Sequence, residues 1–477
     1  MRTSKEYLDK LSKMRPNIYI DGKCIGRDHP KIIHASNAIQ LTFDKANDPE
    51  YSKWLTATSH RSGKSINRFN HIHQSPEDLL LKQEMTRKLC NLMGGCIQRC
   101  MGADSMNGLS VITKNCDLKY GTDYHERWLK YLDYFQENDL ICAASQTDSK
   151  GDRRKRPAEQ EDPDMYLHVV ERREDGVVVS GAKLHNTMAP YADELIAFPT
   201  RALGKNEADY AIAFAIPADT EGVYLIARQA FSIEREENMK APYTELGDIE
   251  SMTVFDRVFV PNERIFLNGE TDMGGQLALM FALYHRHSYC GCKPGVGDVI
   301  TGTTALIAEY NGTDKMDHTK DVLADMISVA ELVYAAGIAS SVTSTKAPSG
   351  TQVPNVIYAN VGRRHAGHNM YHEYEHLCDI AGGLPATLPL TPEYNNPDIG
   401  DFVRKYTKRR VDIPEENHYR VYHLASDILT GEFGAAILIA GVHGGGSPIM
   451  EDIAILGSYD LQGKKKLARY LAGINEE

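Results

Sequence analysis

Residues 165–187 read MYLHVVERREDGVVVSGAKLHNT. Two β-rich runs flank Glu174-Asp175-Gly176, which is a hairpin signal. Further along, DYAIAFAIPAD (209–219), GVYLIARQA (222–230) and MTVFDRVFVPNERIF (252–266) keep the strand texture. On both sides of this block the pattern is helical. Upstream, SPEDLLLKQEMTRKLCNLM (75–93) opens with Ser75 as N-cap, Pro76 at N1 and Asp78 at N3, and its apolar positions then recur at helical spacing. Downstream, VITGTTALIAEYNG (299–312), MDHTKDVLADMISVAELVYAAGIASSV (316–342) and NHYRVYHLASDILTGEFGAAILIAGV (417–442) are long helical patterns. The order predicts an α+β protein with segregated elements: a helical domain over 1–139, a β domain over 140–268 and a helical bundle over 269–477.

Composition bounds the rest. The 477 residues are 42% hydrophobic and 25% charged, as in an ordinary globular protein large enough for two or three structural units. A net charge of −12 opposes binding to nucleic acid or an acidic membrane, and Arg153–Pro157 is only a local basic cluster. MRTSKEYLDKLSKMRP lacks the apolar core of a signal peptide. The apolar stretches, such as 435–440, read as too short to span a bilayer. Nine scattered cysteines show no disulfide framework, which argues for reduced thiols and a cytoplasmic location.

Two segments carry chemistry. In LCNLMGGCIQRCMG (89–102), read as a continuous helix, Cys96 and Cys100 are four apart and share one face. In YHRHSYCGCKPGVGDV (284–299), His285 and Cys292 could bring an imidazole and a third thiol to meet them. Three thiolates and an imidazole suit zinc or an iron–sulfur cluster. By spacing alone the first two cysteines read as core filler rather than ligands, because C-x3-C is not a short zinc signature. Other motifs are incomplete. Arg61-Ser62-Gly63-Lys64-Ser65 resembles the end of a phosphate loop, but Thr58 stands where its first glycine would be. His443-Gly444-Gly445-Gly446 resembles a hydrolase oxyanion loop without a nucleophile elbow. No G-x-G-x-x-G follows a strand.

TDSKGDR (147–153), GAKLHNT (181–187), FDRVFVPNERIF (255–266), the 285–298 segment and DIAGGL (379–384) together resemble the 4-hydroxyphenylacetate 3-hydroxylase family, with NRF and HQS in 67–75 and YNGT at 310–313 as further landmarks. The resemblance runs nearly end to end and implies an acyl-CoA dehydrogenase-like fold. The family's monooxygenases lack cluster ligands. Cys96-Ile97-Gln98-Arg99-Cys100 and His285…Cys292 place this chain near the family's dehydratase branch.

That resemblance implies a [4Fe–4S] cluster on Cys96, Cys100, Cys292 and His285, beside FAD. FAD would lie along Gln146, Thr147, Asp148, Ser149, Lys150, Gly151, Asp152 and Arg153, with His185, Asn186 and Thr187 facing its ring. Gly382 and Gly383 would offer backbone to the flavin of a neighbouring subunit in a homotetramer, a dimer of dimers; by composition alone Gly382 is a helix cap. The implied reaction dehydrates 4-hydroxybutyryl-CoA, or a similar 4-hydroxyacyl-CoA, and isomerises vinylacetyl-CoA, both to crotonyl-CoA. His285 would be the C2 base and Tyr289 a hydrogen-bond donor or acid. Lys293 would add positive charge, while Glu250 and Gln98 match family positions near the site.

One position departs from the pattern. The dehydratases carry a glutamate three residues before the histidine of H-G-x-G-S-P, and here that position is Ala440. Glu432, two helical turns earlier, faces the same side by spacing. An isomerase lacking dehydration, an FAD-dependent aromatic hydroxylase and a structural-zinc protein are the alternative readings.

Overall fold

The computed structural model describes residues 1–474, and the order helix, sheet, helix holds. The 165–187 stretch forms the expected hairpin: His168–Arg172 pairs antiparallel with Gly176–Thr187. It ends a six-stranded sheet whose order is Lys23–Ile25, Ile18–Ile20, Val223–Phe231, Gly247–Pro261, Gly176–Thr187, His168–Arg172. A second sheet runs Ile265–Asn268, Ile212–Pro217, Glu194–Ala197, Cys142–Ser145.

Strand alternation explains how the sheets pack. Ile141, Ala143, Leu195, Ala197, Phe214 and Ile216 of the second sheet share one core with Val177, Val179, Leu225, Ile249 and Phe255 of the first. The intervening Cys142, Ala144, Ile196, Ala213 and Ala215 point the other way, into a core with the helices Cys100–Tyr120 and Tyr124–Glu137. The second sheet is therefore buried on both faces and ties the β layer to the helices.

The first 139 residues are not wholly helical. Ile18–Ile20 joins the large sheet in parallel with Val223–Phe231. Thr56–Thr58 and Ser65–Asn67 form a small hairpin. The phosphate-loop lookalike at 61–65 is that hairpin's turn, and Arg61 pairs with Asp133 at 2.7 Å.

The helical end is built on one long helix, Thr271–Asn311. It packs against Pro76–Met93, Cys100–Tyr120, Asp317–Val342 and Val356–Ala381. Gly291 and Gly295 allow the closest approach. A Cβ on Gly291 would lie 2.0 Å from Thr86 Oγ1, and one on Gly295 would lie 2.5 Å from the Arg87 carbonyl. The Ser75 cap forms as expected and accepts the Asp78 N–H. The 417–442 pattern divides at Gly431 into Glu415–Thr430 and Glu432–His443.

The bilayer reading needs correction. Asp317–Val342 is long and apolar enough to cross a membrane by length and composition. Scattered polar residues interrupt this helix, so no unbroken apolar run marks it in the sequence. It packs beside three other helices, Thr271–Asn311, Val356–Ala381 and Pro76–Met93, but Ile327, Leu332 and Val342 stay exposed.

Candidate active site between the helices and the sheet

The helix Pro76–Met93 stops at Gly94, whose φ of +62° is left-handed and suits glycine. Residues 94–99 form a loop, and Cys100 opens the next helix. Cys96 and Cys100 therefore do not share a helix face, contrary to the spacing argument. The Gly94-Gly95 pair and Gln98, at φ +62°, break the helix and fold Cys96 back to Cys100. The two side chains lie in hydrogen-bond contact, which together with burial pushes the Cys100 thiol well above its ordinary range.

His285 and Cys292 both lie on the long helix, two turns apart. The sulfurs of Cys96, Cys100 and Cys292 all lie near enough to act electrostatically on Tyr289. Ligand atoms of Cys100, Asp104 and His285 lie within 4.8 Å of one another. The four residues named from sequence as metal ligands thus meet at the junction of two helices and a loop. Cys90 is a fifth: its buried thiol lies against Cys292 and near Cys96.

A buried polar set orients the histidine. His285 Nδ1 is 3.0 Å from Asp104 Oδ2, Lys82 Nζ donates to Asp104 Oδ1 at 2.6 Å, and Ser288 donates to the same carboxylate. Burial alone would raise the Asp104 pKa, but Lys82 and His285 outweigh it and hold the carboxyl below its usual range. The carboxylate thus accepts from Nδ1 and leaves Nε2 as the imidazole's working nitrogen. Asp104, Lys82 and Ser288 were absent from the sequence reading. The signal was available, since Asp104 is the one charge in CMGADSMNGLSVIT (100–113) and sits one turn after Cys100.

Tyr289 stands edge-on to His285 at 5.2 Å, with Arg363 over its ring at 4.4 Å. Its hydroxyl donates to the Ala440 carbonyl at 2.6 Å, and burial holds the phenol above its normal range. The proton proposed for chemistry is committed to the backbone. Lys293, expected to add positive charge beside the thiols, is buried one residue after Cys292 and forms an ion pair with Glu373.

Gln98 leads from the thiols to the sheet. Its backbone N–H donates to Cys96 Sγ at 3.3 Å, and its side-chain amide donates to the Gly247 carbonyl at 3.0 Å. Tyr191 Oη, also missed in the sequence, bridges Gln98 Oε1 at 2.8 Å and Asp248 Oδ1 at 3.1 Å. Asp248 adjoins Glu250. Burial pushes Asp248 up to about 6, and burial with Asp248 pushes Glu250 up to about 8. Thr187 donates to Glu250 Oε1, while Glu250 Oε2 is buried with no hydrogen-bond partner among the described residues.

The residues expected along FAD come together in part. Segment 146–150 lies on strand Gly176–Thr187: Leu184 N–H donates to the Thr147 carbonyl at 2.6 Å, and Asp148 bridges to Lys183. Lys150 and His185 both have left-handed backbones, at φ +73° and +59°, and Lys150 and His443 act electrostatically on His185. Positive φ at two non-glycine residues is local strain, which clusters at functional sites.

Other members turn inward. Asp148 is buried, pairs with Lys183 at 2.7 Å and accepts the Leu167 N–H. The Gln146 carbonyl accepts from Lys183 and Thr200. Asp152 pairs with Arg154, and Ser149 is half-buried. Asn186 donates to the Lys183 carbonyl and to Thr253, and its buried Oδ1 has no partner among the described residues. Of His185, Asn186 and Thr187, only His185, at its left-handed backbone, is exposed; Asn186 and Thr187 are buried against Thr253 and Glu250. Arg153 is exposed, as are Gly382 and Gly383 beyond helix Val356–Ala381. A Cβ on either glycine would meet nothing within 4 Å, so that backbone is open to approach.

Comparisons with known proteins define the class. The N-terminal 4-hydroxyphenylacetate 3-hydroxylase family profile matches residues 3–267, and the C-terminal profile matches 275–473. The chain belongs to the 4-hydroxyphenylacetate 3-hydroxylase family. Within it, the chain is 38% identical over 488 residues to a 4-hydroxybutyryl-CoA dehydratase/vinylacetyl-CoA Δ-isomerase of Clostridium aminobutyricum, covering 99% of this chain and 100% of that protein. An oxygen-tolerant archaeal 4-hydroxybutyryl-CoA dehydratase from N. maritimus superposes with a TM-score of 0.95 at 37% identity, covering 100% of this chain and 96% of that one. The oxygenase component of 4-hydroxyphenylacetate 3-monooxygenase, solved with FAD, shares the fold at a TM-score of 0.88 and 23% identity, covering 99% and 98% of the two chains.

Proposed function

We propose that this chain is an acyl-CoA dehydratase and double-bond isomerase that converts 4-hydroxybutyryl-CoA, or a close 4-hydroxyacyl-CoA, and vinylacetyl-CoA to crotonyl-CoA. The observation that carries the reading is the convergence of Cys96, Cys100, Cys292 and His285 in a chain 38% identical end to end to such an enzyme. The donor set fits a [4Fe–4S] cluster with three thiolates and one exchangeable imidazole. The orphaned oxygens of Asn186 and Glu250, the strained Lys150 and His185, and the open backbone at Gly382-Gly383 fit FAD held across a subunit boundary. When bound, FAD supplies one-electron oxidation and the cluster supplies a Lewis-acidic iron. The reading also takes in an acyl-CoA dehydrogenase-like fold, a homotetramer and a cytoplasmic location. The exposed apolar residues of helix Asp317–Val342 support the assembly.

The chain's own residues handle protons. The thioester makes the substrate's C2–H acidic. Asp104 holds His285 by Nδ1, so Nε2 is the nitrogen that accepts the C2 proton. Glu250, with its pKa near 8, is protonated at neutral pH and serves as a donor rather than a base. Tyr289 fixes the last turn of helix Glu432–His443 by its hydrogen bond to the Ala440 carbonyl and stands edge-on to His285. Ala440 favours the isomerase within this reading, because no carboxylate stands at that position to assist hydroxide departure.

Anaerobic purification tests the proposal. Flavin with about four irons per chain and both activities are expected. Flavin without iron would support an aromatic hydroxylase, and zinc alone a structural site; either result overturns the dehydratase reading.

A further inference from the structure

Away from these thiols, helices Asp317–Val342 and Val356–Ala381 pack side by side. His372 and His376 are four residues apart on the second helix and share a face. Asp325 reaches them from the first. Its Oδ2 lies 2.8 Å from His372 Nε2 and 3.1 Å from His376 Nε2. The three ligand atoms all fall within 4.8 Å of one another.

The outer shell matters as much. Glu375 Oε2 faces His372 Nδ1 at 3.4 Å. A carboxylate only accepts, so without metal both ring nitrogens of His372 donate, Nδ1 to Glu375 and Nε2 to Asp325. A cation that takes the place of the Nε2 proton meets Asp325 and both imidazoles, while Glu375 keeps Nδ1 protonated. Carboxylate–imidazole–metal is the usual order in protein metal sites. In a tetrahedral site with bonds near 2.0 Å the ligand atoms stand about 3.3 Å apart. A small opening of the present spacing accommodates that. The side chains of Asp325 and His372 are 49% and 41% exposed, which gives a cation an entry path and leaves room for water ligands.

We infer that Asp325, His372 and His376 form a binding site for a divalent transition cation of the zinc class, with Glu375 orienting His372. Two nitrogens and one oxygen favour zinc-like ions over magnesium or calcium, which prefer all-oxygen sites. A bound cation joins the two helices, and each imidazole that coordinates releases its Nε2 proton to solvent.

Equilibrium dialysis of the full-length, cofactor-loaded protein against zinc tests the site. The wild type is expected to retain one zinc more than either Asp325→Asn or His376→Ala. Cys100→Ala keeps that zinc, which separates it from metal at the thiols. Glu375→Gln weakens its binding by about 10- to 100-fold. Asp325→Asn is nearly isosteric at a half-exposed carboxylate, so it reports binding even where the histidine variant misfolds. Zinc content unchanged in a folded Asp325→Asn protein overturns the proposal, as does zinc lost only from Cys100→Ala.

Discussion

Ala440 sets the balance between two reactions. Isomerisation of vinylacetyl-CoA moves a proton from C2 and returns one at C4, whereas dehydration must also expel hydroxide. The wild type is expected to isomerise faster than it dehydrates, and Ala440→Glu should raise dehydration by about 100-fold, the usual worth of a positioned acid–base group. Anaerobic assays with both substrates check this; Glu432, exposed in the first turn of its helix, becomes the candidate if the two wild-type rates are equal. Asp104→Asn should cost about 10- to 100-fold in kcat with KM little changed, since it frees the His285 ring without touching substrate; iron content separates this from ligand loss. Glu250 offers a pH test. Its pKa rises from 4.5 to about 8 on folding, so between those values the unfolded chain loses the proton first. Stability therefore falls as pH rises through that window, by on the order of a few kcal/mol for this group. Denaturant titrations at several pH values should show Glu250→Gln flattening the decline. At this scale the meeting of Cys96, Cys100, Cys292 and His285 was anticipated through the family resemblance and not through spacing, which read the first two cysteines as core filler. Tyr191 and Asp248 could not be anticipated, because a buried carboxylate or phenol acquires its meaning from partners far along the chain.

The loop 94–99 shows what helical periodicity misses. LCNLMGGCIQRCMG keeps a helix-compatible pattern, yet two glycines and the left-handed Gln98 break it. Glycine can end a helix or sit within one, and tertiary packing decides. Here Phe433 and Ile437 press on Gly95: an added Cβ would lie 2.7 Å from Phe433 Cζ. Gly95→Ala should force that ring aside, cost roughly 1–3 kcal/mol and lower bound iron, measured by thermal unfolding and anaerobic iron assay. The hairpin at 168–187 and the Ser75 cap were legible because turn chemistry and capping act over a few residues. The inward turn of Asn186 and Thr187 was not, since it follows from which sheet face is covered.

For the whole molecule, the shift from helical to strand texture and back gave the architecture directly. Ile18–Ile20 escaped because a three-residue strand has no period of its own and its partner lies some two hundred positions away. The exposed apolar residues of Asp317–Val342 are where the proposed homotetramer would seat a second copy. Leu332→Lys should shift the sedimenting species from tetramer toward smaller forms while leaving the monomer folded by circular dichroism; association of the wild type with lipid vesicles would instead favour a membrane role. The proposed cluster ligands lie on two scaffolds of unequal firmness. Cys292 and His285 belong to a long packed helix, whereas Cys96 hangs on a six-residue connector with few backbone hydrogen bonds. On the proposed reading the helical half of the site would be complete before any iron arrives, and the connector would be the part that iron orders. Maturation would follow folding, with amide exchange at 95–98 slowing sharply once the cluster is delivered.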